Sequence, residues 1–261
     1  MTGRNGDTVN RVWHWIAPAL LIAAVLAAWE TVVRVRRVPS WLLPPPSAVA
    51  ETLVVERALL FEHGIVTLSE VLLGFSLALI AGVLLAIAID SSPALDRSLY
   101  PLLVASQTVP VPALAPLLLI WFGYGLLPKV LVTALIAFFP IVVNMVEGLR
   151  ATDPDVIAML RTFGAGRWTR FRLARLPSAL PFLFAGARIA VAVAVIGAVF
   201  GELVGARAGL GYLLTRAMAQ FQTERVVAAI FLLSLMGVGL FAIVAVSERL
   251  LLPWRRAGEP E

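Results

Sequence analysis

Long apolar segments alternate with short charged or proline-rich stretches along the whole chain. A transmembrane helix needs about 20 largely apolar residues, and six segments are near or above that length. The predicted spans are approximately 12–33, 66–89, 99–122, 128–146, 178–202 and 226–249. The pattern therefore predicts an all-α transmembrane fold with six helices in a single domain of residues 1–261.

The third apolar segment, Leu99–Pro128, is too long and too rich in proline for one regular helix. Pro110, Pro112 and Pro116 fall in its centre, where proline removes a backbone donor and clashes with the preceding turn. Irregular backbone at membrane depth is tolerated only against protein or a water-filled cavity. The third span is therefore predicted to wall a pathway.

The first apolar segment has two interpretations. The uncharged run Val12–Trp29 is long enough to span, which favours an uncleaved helix. Ala27-Ala28 leaves open a cleavable signal peptide. The proline-rich stretch that follows predicts a short helix along the membrane surface, capped by Ser47.

Composition supports the membrane assignment and excludes several kinds of site. Hydrophobic residues make up 60% of the chain and charged residues 14%, whereas soluble domains have about 45–50% and about 25%. The chain has no cysteine and two histidines, so neither a thiol nucleophile nor a metal site is predicted. No catalytic cluster is recognisable.

Positive charge gives the predicted orientation. All the basic residues except Lys129 are arginines, and more of them fall on the side that holds both termini. By the positive-inside rule both termini are cytoplasmic, although Arg34, Arg36 and Arg37 count against this orientation.

The loop 147–177 carries the densest basic block and also a well-marked short helix. Asp153 is a suitable N-cap, Pro154 suits the first helical position, and Gly164 is a typical stop. The predicted apolar stripe consists of Val156, Ile157, Leu160 and Phe163. A second helical segment, roughly Arg167–Arg175, is predicted to break at Pro177.

The arginines of this loop do not share one helical face, which argues against nucleic-acid binding. A loop that only sets topology accounts for scattered charge, but it leaves the apolar stripe without a role. The other interpretation is that the apolar stripe binds a partner protein, which would bury it.

Residues Asp155–Pro181 resemble the cytoplasmic "EAA" loop in the membrane subunits of ATP-binding-cassette (ABC) importers. That loop reads Glu-Ala-Ala, three residues, Gly, nine residues, Ile, one residue, Leu-Pro. Gly164 and Leu176-Pro177 match, whereas Ala158, Met159 and Leu160 replace Glu-Ala-Ala, and Ala174 replaces the isoleucine.

Further segments resemble the same importers in order and spacing, from about Pro39 to Trp254. They read "TLSEVLLGF", "VPVPALAPLLLIWFG", "FFPIVVN", "LPSALPFLFAGARIA" and "GLGYLL". The likeness points to the branch that handles nitrate, sulfonates, taurine and thiamine-precursor pyrimidines, and among these the pyrimidines are favoured.

The resemblance implies a type I importer-like permease subunit of a bacterial inner membrane, multi-pass and not itself an enzyme. Implied partners are a second copy of the chain, ABC ATPase subunits that bind ATP and Mg²⁺, and an extracytoplasmic solute-binding protein. A cofactor in this chain and a nucleic-acid partner are not implied. Independently, the only lysine, Lys129, lies between Pro128 and Val130, so no phosphate-binding G-x-x-x-x-G-K-[ST] loop exists.

The resemblance also implies that 155–163 is a coupling helix docked on the ATPase. The implied coupling residues are Asp155, Ala158, Leu160, Arg161, Phe163, Gly164, Arg167 and Pro177.

Four polar residues within spans are candidates for the translocation pathway: Gln107, Thr108, Asn144 and Glu202. Each could instead bond across helices, and Glu202 could be an interfacial carboxylate paired with Arg207 or water. A secondary transporter working without an ATPase is the alternative function, although it would favour ionisable residues near mid-membrane and inverted repeats, which the sequence lacks.

Overall fold

The computed structural model describes the backbone of residues 5–254, with the side chains of 17, 18 and 20–254. Every regular element among these residues is helical. The helices are α1 (Asn5–Val35), α2 (Pro46–Val55), α3 (Arg57–Ser91), α4 (Pro93–Ser106), α5 (Val111–Phe122), α6 (Leu126–Arg150), α7 (Pro154–Thr162), α8 (Arg167–Arg170), α9 (Leu176–Gly205), α10 (Leu210–Ala219) and α11 (Thr223–Leu251), with a π-helical turn at Phe171–Arg175 between α8 and α9. The prediction that both termini are cytoplasmic concerns terminal residues, some of which lie outside the described ones.

Four of the described helical stretches are long and apolar enough to cross a membrane: α3, α6, the stretch Arg167–Gly205, and α11. The pair α4 and α5 makes a fifth if it counts as one span. The predicted number of six stays a prediction.

The predicted irregularity of the third span is confirmed. Helix α4 ends at Ser106, α5 begins at Val111, and the two axes differ by 98°. Pro110 caps α5 and Pro112 lies in its first turn, where a helix tolerates proline, whereas Pro116 lies inside α5.

The described residues divide into two compact units. The first contains the chain up to Leu60 together with Leu214–Ile230, and the second contains Phe61–Leu213 and the chain from Phe231 on. These units are defined by compactness, so the prediction that residues 1–261 act as one functional domain stays a prediction.

In the first unit, the start of α2 is held by Glu30 of α1. The Glu30 carboxylate accepts hydrogen bonds from the Ser47 hydroxyl at 2.8 Å, the Ser47 backbone N–H at 3.1 Å and Arg34 Nε at 2.5 Å. The prediction that Ser47 caps this helix is therefore wrong, since the N-cap is Pro45 and a carboxylate from another helix satisfies the free donor.

In the second unit, α6 and α9 form the central packed pair, and small residues bring their backbones together. A Cβ on Gly186 would lie 2.6 Å from the Pro140 carbonyl oxygen, and one on Gly148 would lie 2.8 Å from Ala179 Cα. Small residues at helix contacts are typical of membrane proteins, where tight packing replaces the hydrophobic effect between helices. This pair is the frame on which the candidate sites are built.

The segment from Arg167 to Gly205 is one continuous helical stretch. The predicted break at Pro177 is therefore wrong. The helix changes locally to a π-helical turn at Phe171–Arg175 and does not end. The Leu176 N–H bonds the Phe171 carbonyl five residues back, and the helix then continues through Pro177, the second residue of α9.

Candidate functional site

Two features of the second unit bring polar and candidate functional side chains together. The first is the α7 hook, defined here as residues 150–175. The second is the polar cluster, defined as His63, Thr67, Glu70, Lys129, Glu202 and the backbone of 209–211. The two features involve opposite ends of α3, α6 and α9.

Helix α7 begins and ends as its sequence predicts. Asp153 Oδ1 accepts the Asp155 backbone N–H at 2.8 Å. Gly164 adopts φ +75°. The N–H groups of Gly164 and Ala165 bond back to the carbonyls of Arg161 at 2.9 Å and Leu160 at 3.0 Å, which is the Schellman arrangement. Local chemistry thus fixes both ends of the helix.

Helix α7 has an exposed apolar face. Val156 is 39% exposed, Met159 51% and Phe163 80%. At about 100° per residue these three side chains fall within one narrow sector. The predicted stripe is correct in part, since Ile157 and Leu160 are half-buried instead.

The opposite face of α7 borders a groove. Pro154, Ile157, Ala158 and Arg161 form one wall of a cavity of about 390 Å³. A second cavity of about 710 Å³ shares Ile157 and Arg161 with the first and extends along α8 and the π-helical turn. We call these two adjoining cavities the α7 groove.

Two ion pairs connect the borders of the groove to neighbouring helices. Arg175 Nη1 lies 2.5 Å from Asp90 Oδ2 at the end of α3. Arg150, at the end of α6, pairs with Asp96 of α4. Since both links are charge-assisted hydrogen bonds, the hook is held to several long helices at once.

The structure places most of the predicted coupling residues together on the hook. These residues are Asp155, Ala158, Leu160, Arg161, Phe163, Gly164 and Arg167, while Pro177 lies beyond the π-helical turn in α9. Their contact with an ATPase stays a prediction.

In the polar cluster, Glu202 anchors the start of α10. This side chain is 2% exposed. One carboxylate oxygen accepts the Thr67 hydroxyl at 2.6 Å and the other accepts the Gly211 backbone N–H at 2.5 Å. Thr67 and Gly211 thus hold Glu202 in the place predicted for Arg207, whereas its pathway role and its pairing with water stay predictions.

Side chains of α3 satisfy the two preceding backbone donors. The Gly209 N–H donates to His63 Nδ1 at 2.9 Å, and the Leu210 N–H donates to Thr67 Oγ1 at 2.8 Å. The first N–H groups of a helix have no partner inside it. Here three consecutive donors are paired by His63, Thr67 and Glu202, which fixes residues 209–211 to α3 and α9.

Beside these contacts lies a buried ion pair. Lys129 Nζ lies 2.6 Å from Glu70 Oε1, with the side chains 12% and 1% exposed. Glu70 Oε2 has no hydrogen-bond partner among the described residues. Sequence reasoning missed this pair, although a lone lysine at the start of a predicted span was a usable signal.

The other three pathway candidates lie apart from the polar cluster. Gln107 and Thr108 are exposed in the break between α4 and α5. Asn144 Nδ2 donates to the Pro140 carbonyl of its own helix at 2.8 Å. Their pathway roles stay predictions. Among the side chains that the structure describes there is also no group of three or more His, Cys, Asp or Glu placed to hold a metal.

The sequence matches a protein family described as "Binding-protein-dependent transport system inner membrane component" over residues 78–253. Formylaminopyrimidine transport permease protein ThiX of Halalkalibacterium halodurans is 41% identical over 248 residues, which cover 95% of this chain and 99% of that protein. Riboflavin transport system permease protein RibX of Chloroflexus aurantiacus is 39% identical over 244 residues, with 93% and 91% covered.

The fold matches a chain in the crystal structure of an amino acid ABC transporter with histidines. The TM-score is 0.60 at 17% identity, with 76% of this chain and 96% of that chain covered. At this identity the likeness concerns the fold alone, and it confirms the all-α transmembrane architecture.

Proposed function

This chain belongs to the family of inner membrane components of binding-protein-dependent transport systems, and we propose that it forms the translocation pathway of an ATP-driven importer. The membership confirms the resemblance to ABC importer permeases seen in the sequence. The observation that carries the proposal is the α7 hook, a capped helix with an exposed apolar face. In this proposal the whole chain acts as one permease domain.

The proposed motor is a separate ABC ATPase, which binds ATP and Mg²⁺. Helix α7 docks on it through Val156, Met159 and Phe163, which are exposed and can be desolvated on contact. The coupling residues Ala158 and Arg161 line the groove behind that face. Docking requires α7 and, with it, both termini to be cytoplasmic.

The hook is connected so that movement of α7 reaches several spans. Its ion pairs lead to α3 through Asp90 and to α4 through Asp96, and the continuous stretch Arg167–Gly205 leads into α9. Closure of the ATPase would therefore pull on three membrane helices together.

The proposed pathway lies between two copies of the chain, because family resemblance implies a pair of permeases and a homodimer is the simplest pair. Solute arrives from an extracytoplasmic binding protein. Gln107 and Thr108, at the α4–α5 break, and Asn144 are proposed to face the path. Both oxygens of Glu202 are bonded within the protein, so its proposed role is to hold α10 beside the path.

The proposed solute is a pyrimidine of the thiamine-precursor type. The two relatives are named for formylaminopyrimidine and riboflavin, and both molecules contain a planar nitrogen heterocycle. This shared chemistry favours a heterocycle over sulfonates, taurine or nitrate.

We expect the solute-binding protein that partners this permease to bind an aminopyrimidine, because specificity resides mainly in that partner. Isothermal titration of the purified binding protein with aminopyrimidines, taurine, an alkylsulfonate and nitrate measures the preference. Selective binding of a sulfonate or of nitrate would contradict the heterocycle assignment and leave the importer assignment intact.

Truncation of Met159 and Phe163 to alanine is expected to release the ATPase. Apolar anchors that fill a pocket dominate interface energies, so co-purified ATPase and ATP-dependent uptake should each fall by at least about ten-fold. Val238→Ala on α11 is the matched control, since Val238 is also apolar and 67% exposed.

Unchanged co-purification and uptake in the double variant would refute docking through α7. Uptake that persists after the ATPase is lost, and that vanadate leaves unchanged, would favour a secondary transporter.

A further inference from the structure

We propose that the α7 groove is a binding site for a phosphate-bearing anion. The proposal goes beyond transport, and its test measures binding alone. It therefore stands or falls separately from the importer function.

The groove has an excess of positive charge. Five arginines line its two cavities: Arg150, Arg161, Arg167, Arg170 and Arg175. Arg150 pairs with Asp96 and Arg175 with Asp90. Within the described part of the chain, no carboxylate forms an ion pair with the other three.

The chemistry of these side chains favours phosphate. A guanidinium group presents paired donors that match the oxygens of a phosphate in a bidentate manner. Several guanidinium groups around one cavity suit an anion of more than one negative charge. Trp168 and Phe171, stacked with ring centroids 5.6 Å apart, give the larger cavity an aromatic wall beside the charges.

Ala158 explains why the groove is open to an outside anion. In the resembling importer loops this position is a glutamate, and here Ala158 lines the cavity beside Arg150, Arg161 and Arg175. A carboxylate at this position would extend into the cavity and neutralise part of its charge. With alanine there, both the space and the positive charge remain for a bound anion.

The groove also lies away from the proposed docking face. The sector of Ile157, Ala158 and Arg161 is centred about 180° from the centre of the sector of Val156, Met159 and Phe163, at about 100° per residue. An anion in the groove would bridge α7 to the ends of α3 and α6 without meeting a partner on the apolar face. Its occupancy would therefore stiffen the hook and set the orientation in which α7 is presented.

Pyrophosphate binding to the purified full-length chain tests the proposal. We expect isothermal titration in phosphatidylcholine nanodiscs, without Mg²⁺, to show one saturable site. Ala158→Glu and Arg161→Gln should each weaken it by about ten-fold or more, because each alters a charge-assisted contact. Ala158→Gln fills similar space without charge and should weaken binding much less. Arg207→Gln, at the other end of α9, should leave it unchanged.

A second arm identifies the source of the phosphate. In nanodiscs that contain phosphatidylglycerol, weaker pyrophosphate binding would assign the site to a lipid headgroup, and unchanged binding would assign it to a soluble phosphate compound. Either result supports phosphate recognition. Absence of saturable binding in both membranes would overturn the proposal, and so would equal loss in Ala158→Glu and Ala158→Gln or full retention in Arg161→Gln.

Discussion

Lys129→Met is expected to lower the free energy of unfolding by about 3–5 kcal/mol, the usual cost of leaving a buried charge without its partner. Glu70 is 1% exposed, and its link to Lys129 Nζ, 2.6 Å long, is the ion pair that compensates its charge. Its other oxygen has no hydrogen-bond partner among the described residues. Thermal unfolding of the purified chain in detergent measures the loss.

The double variant Lys129→Met with Glu70→Leu separates charge from packing. Replacing both members of a buried pair by apolar residues of similar volume is often nearly neutral, so most of the lost stability should return. A single variant as stable as the parent, or a double variant that is no better than the single, would mean that the pair does not hold α3 and α6 together.

Gly209→Ala is expected to destabilise the chain by at least about 2 kcal/mol and to abolish uptake. Gly209 adopts φ +117°, a region that disfavours any side chain. An added Cβ would also overlap the Glu202 carboxylate, which cannot turn away because Thr67 and Gly211 hold both of its oxygens. Unfolding temperature and ATP-dependent uptake are the two measurements.

Gly64→Ala is the matched control for this substitution. Gly64 neighbours the same cluster in sequence, but a Cβ there would have no atom within 4 Å. Alanine is the better helix former by about 1 kcal/mol, so this variant should be at least as stable as the parent. If the two alanine variants behaved alike, the start of α10 would not depend on close contact with Glu202.

The sequence predicted those features that depend on neighbouring residues. Asp153 and Gly164 fix the two ends of α7 through bonds no more than five residues long. The break between α4 and α5 follows from prolines within the segment itself. Family resemblance then supplied the proposed role of the hook, which no local pattern could provide.

Contacts between distant residues decided the rest. Glu70 and Lys129 are 59 positions apart, and Thr67 and Glu202 are 135 apart, so no local pattern could pair them. Ser47 is a good capping residue, but the helix begins one residue earlier with Pro45 as N-cap, and Glu30 of another helix accepts the Ser47 N–H. The groove depends on how α7 lies against α3 and α6, and this is set by packing.

The π-helical turn Phe171–Arg175 makes the protein sensitive to the exact number of residues in this segment. Its bond from the Leu176 N–H to the Phe171 carbonyl spans one residue more than an ordinary helical bond. Successive side chains of an α-helix differ in direction by about 100°. The extra residue therefore determines how α7 and α8 are rotated about the helix axis relative to α9. Deleting one residue here would swing the apolar face of α7 by about a quarter turn. Insertions and deletions in 171–175 should therefore be tolerated far less well than substitutions on the same surface.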